Sequence, residues 1–397
     1  LFHIIFKQQI TTIFILLITT SILSSCAAIK EIEADVEETI FGREAENPPE
    51  PLEDIKQVVS SKVLWQAKVQ EAGNFEFSPV VEAGYVYAVG AEGELSKLDE
   101  TNGKEIWRVN VGETVSGGVG AGGSLVLVGT QHGAIYAFDL AGKLQWKSKL
   151  SSEVLSAPQY FDGLVIVRTG DSKIYGINAN DGSRKWVYDR TGPALALRSS
   201  AGVVIDGGVV YAGFAGGKLV AVRADNGKLL WEASVAQPKG VTEIERIADI
   251  TSLPIVDGPL VYAVAYQGRV AAVDRKTGRL VWNRDISSLT GLGAEDGRVF
   301  ISHTLGSVYA LDYSTGKSFW RQANLKNRQL TAPVPMGTWI AVGDVEGYVH
   351  FLSREDGALD GRIKVTESPF MPKMQLINRT TLLGQTRDGG IYAVQIK

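Results

Sequence analysis

Apolar and polar residues alternate in short runs along most of the chain, and one run recurs. In Val308-Tyr309-Ala310-Leu311-Asp312 successive side chains fall on opposite faces, the two-residue period of a β-strand. Ser314-Thr315-Gly316 follows as a turn, its glycine free to take a positive φ. Trp320 then stands in a second strand, four residues after the glycine. Strands of the same type are centred at Leu95, Ile135, Ile174, Leu219, Val270, Val308, Val349 and Ile391. Turn glycines Gly103, Gly142, Gly182, Gly227, Gly278 and Gly316 each precede a tryptophan by the same step.

Two positions break the repeat. Gly357 is followed by Gly361 where tryptophan is expected, and the eighth copy reaches Lys397 before its motif can form. One tryptophan, Trp65, lies upstream of the first copy. A ring accounts for both ends, because the N-terminal strand supplies the one missing at the back. A period of about 40 residues with four short strands marks a propeller. The pattern predicts an all-β fold over 62–397: an eight-bladed β-propeller of four-stranded antiparallel blades, closed by the strand around Trp65. Closure removes the bare edges of a linear array. A tryptophan recurring at one register packs between neighbouring blades.

The blades are unequally spaced. Two connections from a tryptophan strand to the next inner strand are long, Trp186 to Ser200 and Trp231 to Ser252. Equivalent connections of a propeller emerge on one face, and these belong to consecutive blades, so the loops are expected side by side. Long loops on a rigid scaffold are where function concentrates. The first carries Leu195, Leu197 and Arg198; the second carries Arg246 and Asp249. The leucines either anchor a partner or fold under the loop onto the blade, and pattern alone leaves both open.

The N-terminus adds targeting. Lys7 precedes an apolar run that continues through Ile22 and Leu23, interrupted by Thr and Ser. It reads as an export signal over 1–25, too interrupted for a membrane span. Leu23-Ser24-Ser25-Cys26 resembles the lipobox of bacterial lipoproteins. Cys26 is the single cysteine; an unpaired thiol in an exported protein calls for an explanation, and lipidation supplies one. Ala27 replaces the aspartate that such lipoproteins use for inner-membrane retention, which implies the outer membrane, facing the periplasm of a Gram-negative bacterium. Residues 26–61 are acidic and interrupted by Pro48, Pro49 and Pro51, the composition of a flexible tether.

The candidate chemistry is sparse. A net charge of −4 offers no global attraction for nucleic acid. His132, His303 and His350 stand in different blades without metal-ligand spacing. Nucleophile-elbow, phosphate-loop and HExxH motifs are missing from the sequence. Asp99, Asp139, Asp274 and Asp312 recur just before the turns, as turn caps rather than catalytic carboxylates. The expectation is a protein without catalytic residues, cofactor or metal.

The unit Tyr-Ala-Leu-Asp, Thr-Gly-Lys, Trp resembles the repeat of pyrroloquinoline-quinone dehydrogenases, which supply the enzymatic alternative, a periplasmic quinoprotein. Those enzymes use a disulfide of adjacent cysteines, a Ca²⁺ site and an aspartate base; a single cysteine cannot form the disulfide. The lipobox, acidic tether, eight blades and Pro193-Ala194-Leu195-Ala196-Leu197-Arg198 together resemble the BamB lipoprotein family of the outer-membrane β-barrel assembly machinery. The resemblance covers essentially the full chain. It implies a non-catalytic scaffold whose loop, here Leu195, Leu197 and Arg198, contacts the POTRA domains of the central barrel subunit BamA. An acidic loop in the next blade shares that contact, which places Asp249, beside Arg246, in the role. The family often has a second acidic residue two positions on; Thr251 stands there. Unfolded outer-membrane clients are further expected partners, taken up at a strand edge by β-augmentation.

Overall fold

The computed structural model describes residues 48–397, and its compact unit is Pro48–Lys397. The signal segment, Cys26 and the acidic stretch up to residue 47 lie outside the described residues. Eight four-stranded antiparallel sheets follow one another, with successive inner strands in contact. They form blades 1 to 7 over 80–110, 115–149, 159–189, 203–234, 255–284, 292–322 and 334–364. Blade 8 joins Gln375–Asn378, Thr381–Gln385 and Gly390–Ile396 to the N-terminal Ser61–Lys68, which pairs antiparallel with Gly390–Ile396. This is the closure that the displaced tryptophan predicts.

The core is a set of apolar seams, each between two consecutive blades. Trp282, Tyr262 and Val264 of blade 5 pack with Val299, Ile301 and Leu311 of blade 6. At the closing seam Trp65, Leu383 and Ala393 meet Val86 and Leu98. Each of the seven repeat tryptophans, Trp65 to Trp320, lies on the turn glycine of the next blade. A Cβ added at Gly316 would stand 2.5 Å from the Trp282 ring, and Trp282 Nε1–H donates to the Tyr313 carbonyl at 2.9 Å. Only glycine fits beneath the ring, and its φ of 66° suits it to the turn. Trp65 repeats the arrangement on Gly103, and Trp320 on Gly357. The aspartates cap these turns: Asp312 accepts the amides of Ser314 and Thr315 at 3.1 and 2.8 Å. Hydrogen bonds from Thr315 and Ser314, against a small cost of burial, hold its carboxyl below the ordinary range.

The acidic tether was expected to run to residue 61, but its last part is packed. The chain enters beside the connection between blades 6 and 7, where Glu50 N–H donates to the Lys326 carbonyl at 3.2 Å. Leu52 packs on the apolar seam of those blades. The chain then runs down the outer edge of blade 7, where the amides of Val58 and Val59 donate to the Asp360 carbonyl at 2.6 and 3.0 Å. A Cβ on Gly361 would lie 2.5 Å from Val59 Cγ1. The missing tryptophan of blade 7 therefore has a cause. Its receiving turn would fall where the chain ends meet, at the hydrogen bond from Lys397 to Ser60. Val59, 2% exposed, fills the space instead.

A buried ionic cluster fixes this entry. Arg328 donates through Nε to Asp344 Oδ2 at 2.7 Å and through Nη1 to the Glu50 carbonyl at 2.7 Å, and pairs with Glu346. His350 Nε2–H donates to the same Asp344 oxygen at 2.8 Å. Arg328, Asp344 and His350 are all at most 1% exposed. Burial pushes the Asp344 carboxyl up, but His350 and Arg328 outweigh it and hold it low. Burial also pushes the His350 imidazole down, Asp344 opposing only in part.

Candidate functional site: the loop face

The two long loops join blade 3 to blade 4 and blade 4 to blade 5, on one face. They are hydrogen-bonded to each other. Leu197 N–H donates to Asp249 Oδ2 at 2.7 Å, and Ser199 Oγ–H donates to the Thr251 carbonyl at 3.2 Å. The adjacency expected from equivalent connections in consecutive blades is present in the structure.

Asp249 does not stand on the surface. It is 2% exposed, and its other oxygen accepts the Gly216 amide at 2.9 Å. Its backbone carbonyl accepts Tyr266 N–H at 2.8 Å. The carboxylate is consumed inside the molecule, clasping the first loop to a turn of blade 4. This corrects its expected place as an exposed acidic contact: two partly buried backbone amides need an acceptor, and Asp249 supplies it. Beneath the same loop lies Arg168, 9% exposed. It donates through Nη1 to the Ala201 carbonyl and stacks on Phe214 at 4.8 Å. Burial pushes its guanidinium down to about 10, the nearby Asp249 charge opposing.

Above this floor the surface is arranged by short-range chemistry. Glu245 accepts the amides of Val241 and Thr242 at 2.9 and 3.1 Å, while Thr242 Oγ1 accepts Glu245 N–H at 3.2 Å. This reciprocal capping forms a single helical turn, closed by Arg246 N–H on the Thr242 carbonyl at 3.1 Å. The turn pushes Val241 and Ile244 outward, 96% and 68% exposed, while Ala248 and Ile250 are buried as the loop's root. Arg246 stands beside them, 3.9 Å from Glu243, both exposed. The leucines divide: Leu195 is 44% exposed, whereas Leu197 is half-buried. Thr251 Oγ1–H donates to the Leu289 carbonyl at 2.9 Å, tying the second loop to the blade 5–6 connection.

Arg198 lies between further partners. It donates to both carboxylate oxygens of Glu153, the shortest contact 2.8 Å, and its guanidinium lies 5.2 Å from the Phe75 ring. Glu76 accepts the Ser200 hydroxyl, so the connection entering blade 1 reaches across the mouth of the ring. Phe75, Glu76, Glu153 and Arg168 were missed from sequence. Phe75 and Glu76 were within reach of the same argument, because the connection from Trp65 to Ser78 is also long. Glu153 and Arg168 carry no local signal, since each matters only through a neighbour in another blade.

Together these contacts make a prearranged patch of exposed apolar tips beside a half-exposed arginine, with its backbone fixed from below. It has the composition of a protein-binding surface. Among the described residues no group of three or more His, Cys, Asp or Glu is placed to hold a metal.

Comparison with known proteins agrees with this architecture. A protein of Nitrosomonas eutropha described as outer membrane protein assembly factor BamB is 39% identical over 386 residues, 95% of this chain and 93% of its own. The crystal structure of BamB from Moraxella catarrhalis superposes with a TM-score of 0.78 at 28% identity, covering 85% of this chain and 100% of that one. Quinohemoprotein alcohol dehydrogenase from Comamonas testosteroni has a TM-score of 0.67 at 14% identity, covering 89% and 82%, a likeness of fold alone. The family model described as outer membrane protein assembly factor BamB matches residues 91–322. With the eight-bladed ring and its paired loops, these matches show that the chain belongs to the BamB family of outer membrane protein assembly factors.

Proposed function

We propose that the protein is a non-catalytic scaffold lipoprotein of the β-barrel assembly machinery. Its loop face binds the POTRA domains of the central barrel subunit, BamA, and so aids assembly and insertion of outer-membrane β-barrel proteins. In this reading Cys26 carries the lipid and the ring faces the periplasm from the outer membrane. Leu195, Arg198 and Arg246 make the contact, with Leu197 in part. Asp249 acts through the loop it positions.

One observation carries the reading: two consecutive-blade loops are locked together by partly buried hydrogen bonds while their apolar tips stay exposed. Ordering the loops in advance lowers the entropic cost of docking. Strand edges remain candidate sites for clients, but the edge of Leu359–Lys364 is partly covered by 57–59. The quinoprotein alternative has fold likeness alone behind it.

Calorimetric titration against the POTRA-bearing fragment tests the patch. Leu195→Ala and Arg198→Ala should each weaken binding by about 2 kcal/mol, roughly thirtyfold, with the melting temperature unchanged. Binding equal to wild type in both variants would place the interface elsewhere. Fatty-acid labelling of the wild type, lost in Cys26→Ala, tests the anchor. Stoichiometric quinone absorbance in the purified protein would restore the dehydrogenase alternative.

A further inference from the structure

The ring encloses an axial cavity of about 480 Å³. Its wall comes mainly from the first residues of the inner strands and the connections leading into them. That is the end of the ring where the long loops emerge, so the cavity belongs to the loop face. The two charged lining residues, Glu76 and Lys373, are exposed at the rim, and Glu76 meets the Ser200 hydroxyl. Within the lining Leu155, Leu292 and Met374 are buried and Leu253 is half-buried.

The mouth and the loop patch share chain. Ser200 is two residues beyond Arg198 and Thr251 two beyond Asp249, and both line the cavity. The connection from blade 5 to blade 6 adds a third member. Its Leu289 is 36% exposed and also lines the cavity. Hydrogen bonds run in series across the three connections. Leu197 N–H donates to Asp249, Ser199 Oγ–H to the Thr251 carbonyl, and Thr251 Oγ1–H to the Leu289 carbonyl. The third connection is fixed further by Ser288 Oγ, which accepts the Gly291 amide at 3.0 Å. A large apolar side chain is thus presented on ordered backbone beside an apolar hollow. A charged group entering against Leu155, Leu292 and Met374 would lose its water uncompensated. An apolar side chain would not, and it would take the exposed leucine out of water. A partner seated on the first two loops is brought by the third connection to the mouth, where it can supply that side chain.

We propose that the interface for the POTRA-bearing partner extends from the loops across the mouth of the axial cavity. Leu289 makes contact there, and an apolar side chain of the partner enters against Leu253. This extension rests on the loop-face reading of the partner's site.

Calorimetric titration of the full chain with the POTRA-bearing fragment tests it. Leu289→Ala should weaken binding about fivefold and Leu289→Asp at least about tenfold, with the melting temperature unchanged. Leu144 on the outer strand of blade 2 is 46% exposed, and Leu144→Ala should bind like wild type. A photoreactive benzophenone side chain in place of Thr290, half-buried in the lining, should cross-link to the fragment. The same group in place of Leu144 should not. Should Leu289→Asp fold poorly, Leu289→Ala and the cross-link decide. Suppose Leu195→Ala and Arg198→Ala weaken binding. Wild-type binding in the Leu289 variants, or no cross-link from position 290, then overturns the extension and leaves the loop-face reading standing. Equal weakening by Leu289→Ala and Leu144→Ala overturns it too, since any exposed leucine would then serve. If Leu195→Ala and Arg198→Ala bind like wild type, the loop-face reading falls and the extension falls with it.

Discussion

Two stretches of chain depart from the blade repeat, and they are fastened in the same way for opposite ends. The entry segment 48–60 is held at blade 7 through Asp344 and Arg328. The loop pair over blades 3 to 5 is held through Asp249, with Arg168 beneath. In both, a carboxylate no more than 2% exposed ties irregular backbone to a regular sheet. The difference lies in the apolar residues. The entry segment buries Val59 and packs Leu52 inward; the loops turn Val241, Ile244 and Leu195 outward. The segment that closes the fold is seated by Leu52 and Val59 even though Val58 stays exposed, whereas one that meets a partner must show its apolar tips while its backbone stays ordered.

The sharpest way to break the comparison is at the closing end. Arg328→Ala leaves Asp344 buried beside His350 without the guanidinium that pairs with it at 2.7 Å. Removing one partner of a buried ion pair costs about 3–5 kcal/mol, so the urea midpoint should fall steeply. A chain beginning at Pro48 should melt like the full chain, whereas one beginning at Ser61 should melt earlier, having lost Val59 and the Glu50 carbonyl. Equal melting of the two truncations would mean that the entry segment merely lies on blade 7.

Asp249→Ala probes the other end. It removes the acceptor of the Leu197 and Gly216 amides. A fully buried group left unsatisfied costs about 1–3 kcal/mol; these amides are partly buried, so the loss should fall at the low end, part of it recovered as the loop loosens. The larger effect should be on binding. Affinity for the POTRA-bearing partner should fall although Asp249 cannot reach it, and hydrogen exchange at Leu197 should speed up. Asp249→Asn, which keeps an acceptor oxygen, should restore part of both. Lost affinity with unchanged exchange at Leu197 would show that Asp249 acts by another route.

These two regions also differ in how far the chain announces them. The ring was legible because six blades repeat a turn glycine and a tryptophan at a fixed step, four of them with an aspartate before the turn, and each residue acts through a neighbour at a fixed offset. The loop positions were legible as interruptions of that spacing. The role of Asp249 was not, since whether a loop carboxylate faces water or two backbone amides depends on how another loop folds over it. The packing of 48–60 was hidden for a related reason. Its three prolines and acidic residues read as a tether, while much of what holds it is backbone hydrogen bonding to Lys326 and Asp360, which any sequence can make. Gly361 was the one clue, visible as a broken repeat but explicable only once Val59 was seen in its place.

The smallest expected effect separates the two halves by pH. His303 in blade 6 and His350 in blade 7 are on the closing side, and the clasp under the loops contains no histidine. Burial, with the Arg321 charge adding to it, pushes His303 down to about 4, and burial also pushes His350 down. In the unfolded chain both titrate near 6.5. Between these values the unfolded state binds more protons, so stability is full above pH 6.5 and is lost as the pH falls toward 4. The slope is at most ~1.4 kcal/mol per pH unit for each histidine. Urea unfolding at pH 7 and pH 5 should show the loss, and His303→Gln should reduce it without abolishing it. Exchange protection at Val59, in the entry segment that the cluster holds through the Glu50 carbonyl, should fall on acidification before that at Leu197. Equal loss at both amides would mean that the ring unfolds as one cooperative unit and that closure and presentation are not separable in stability.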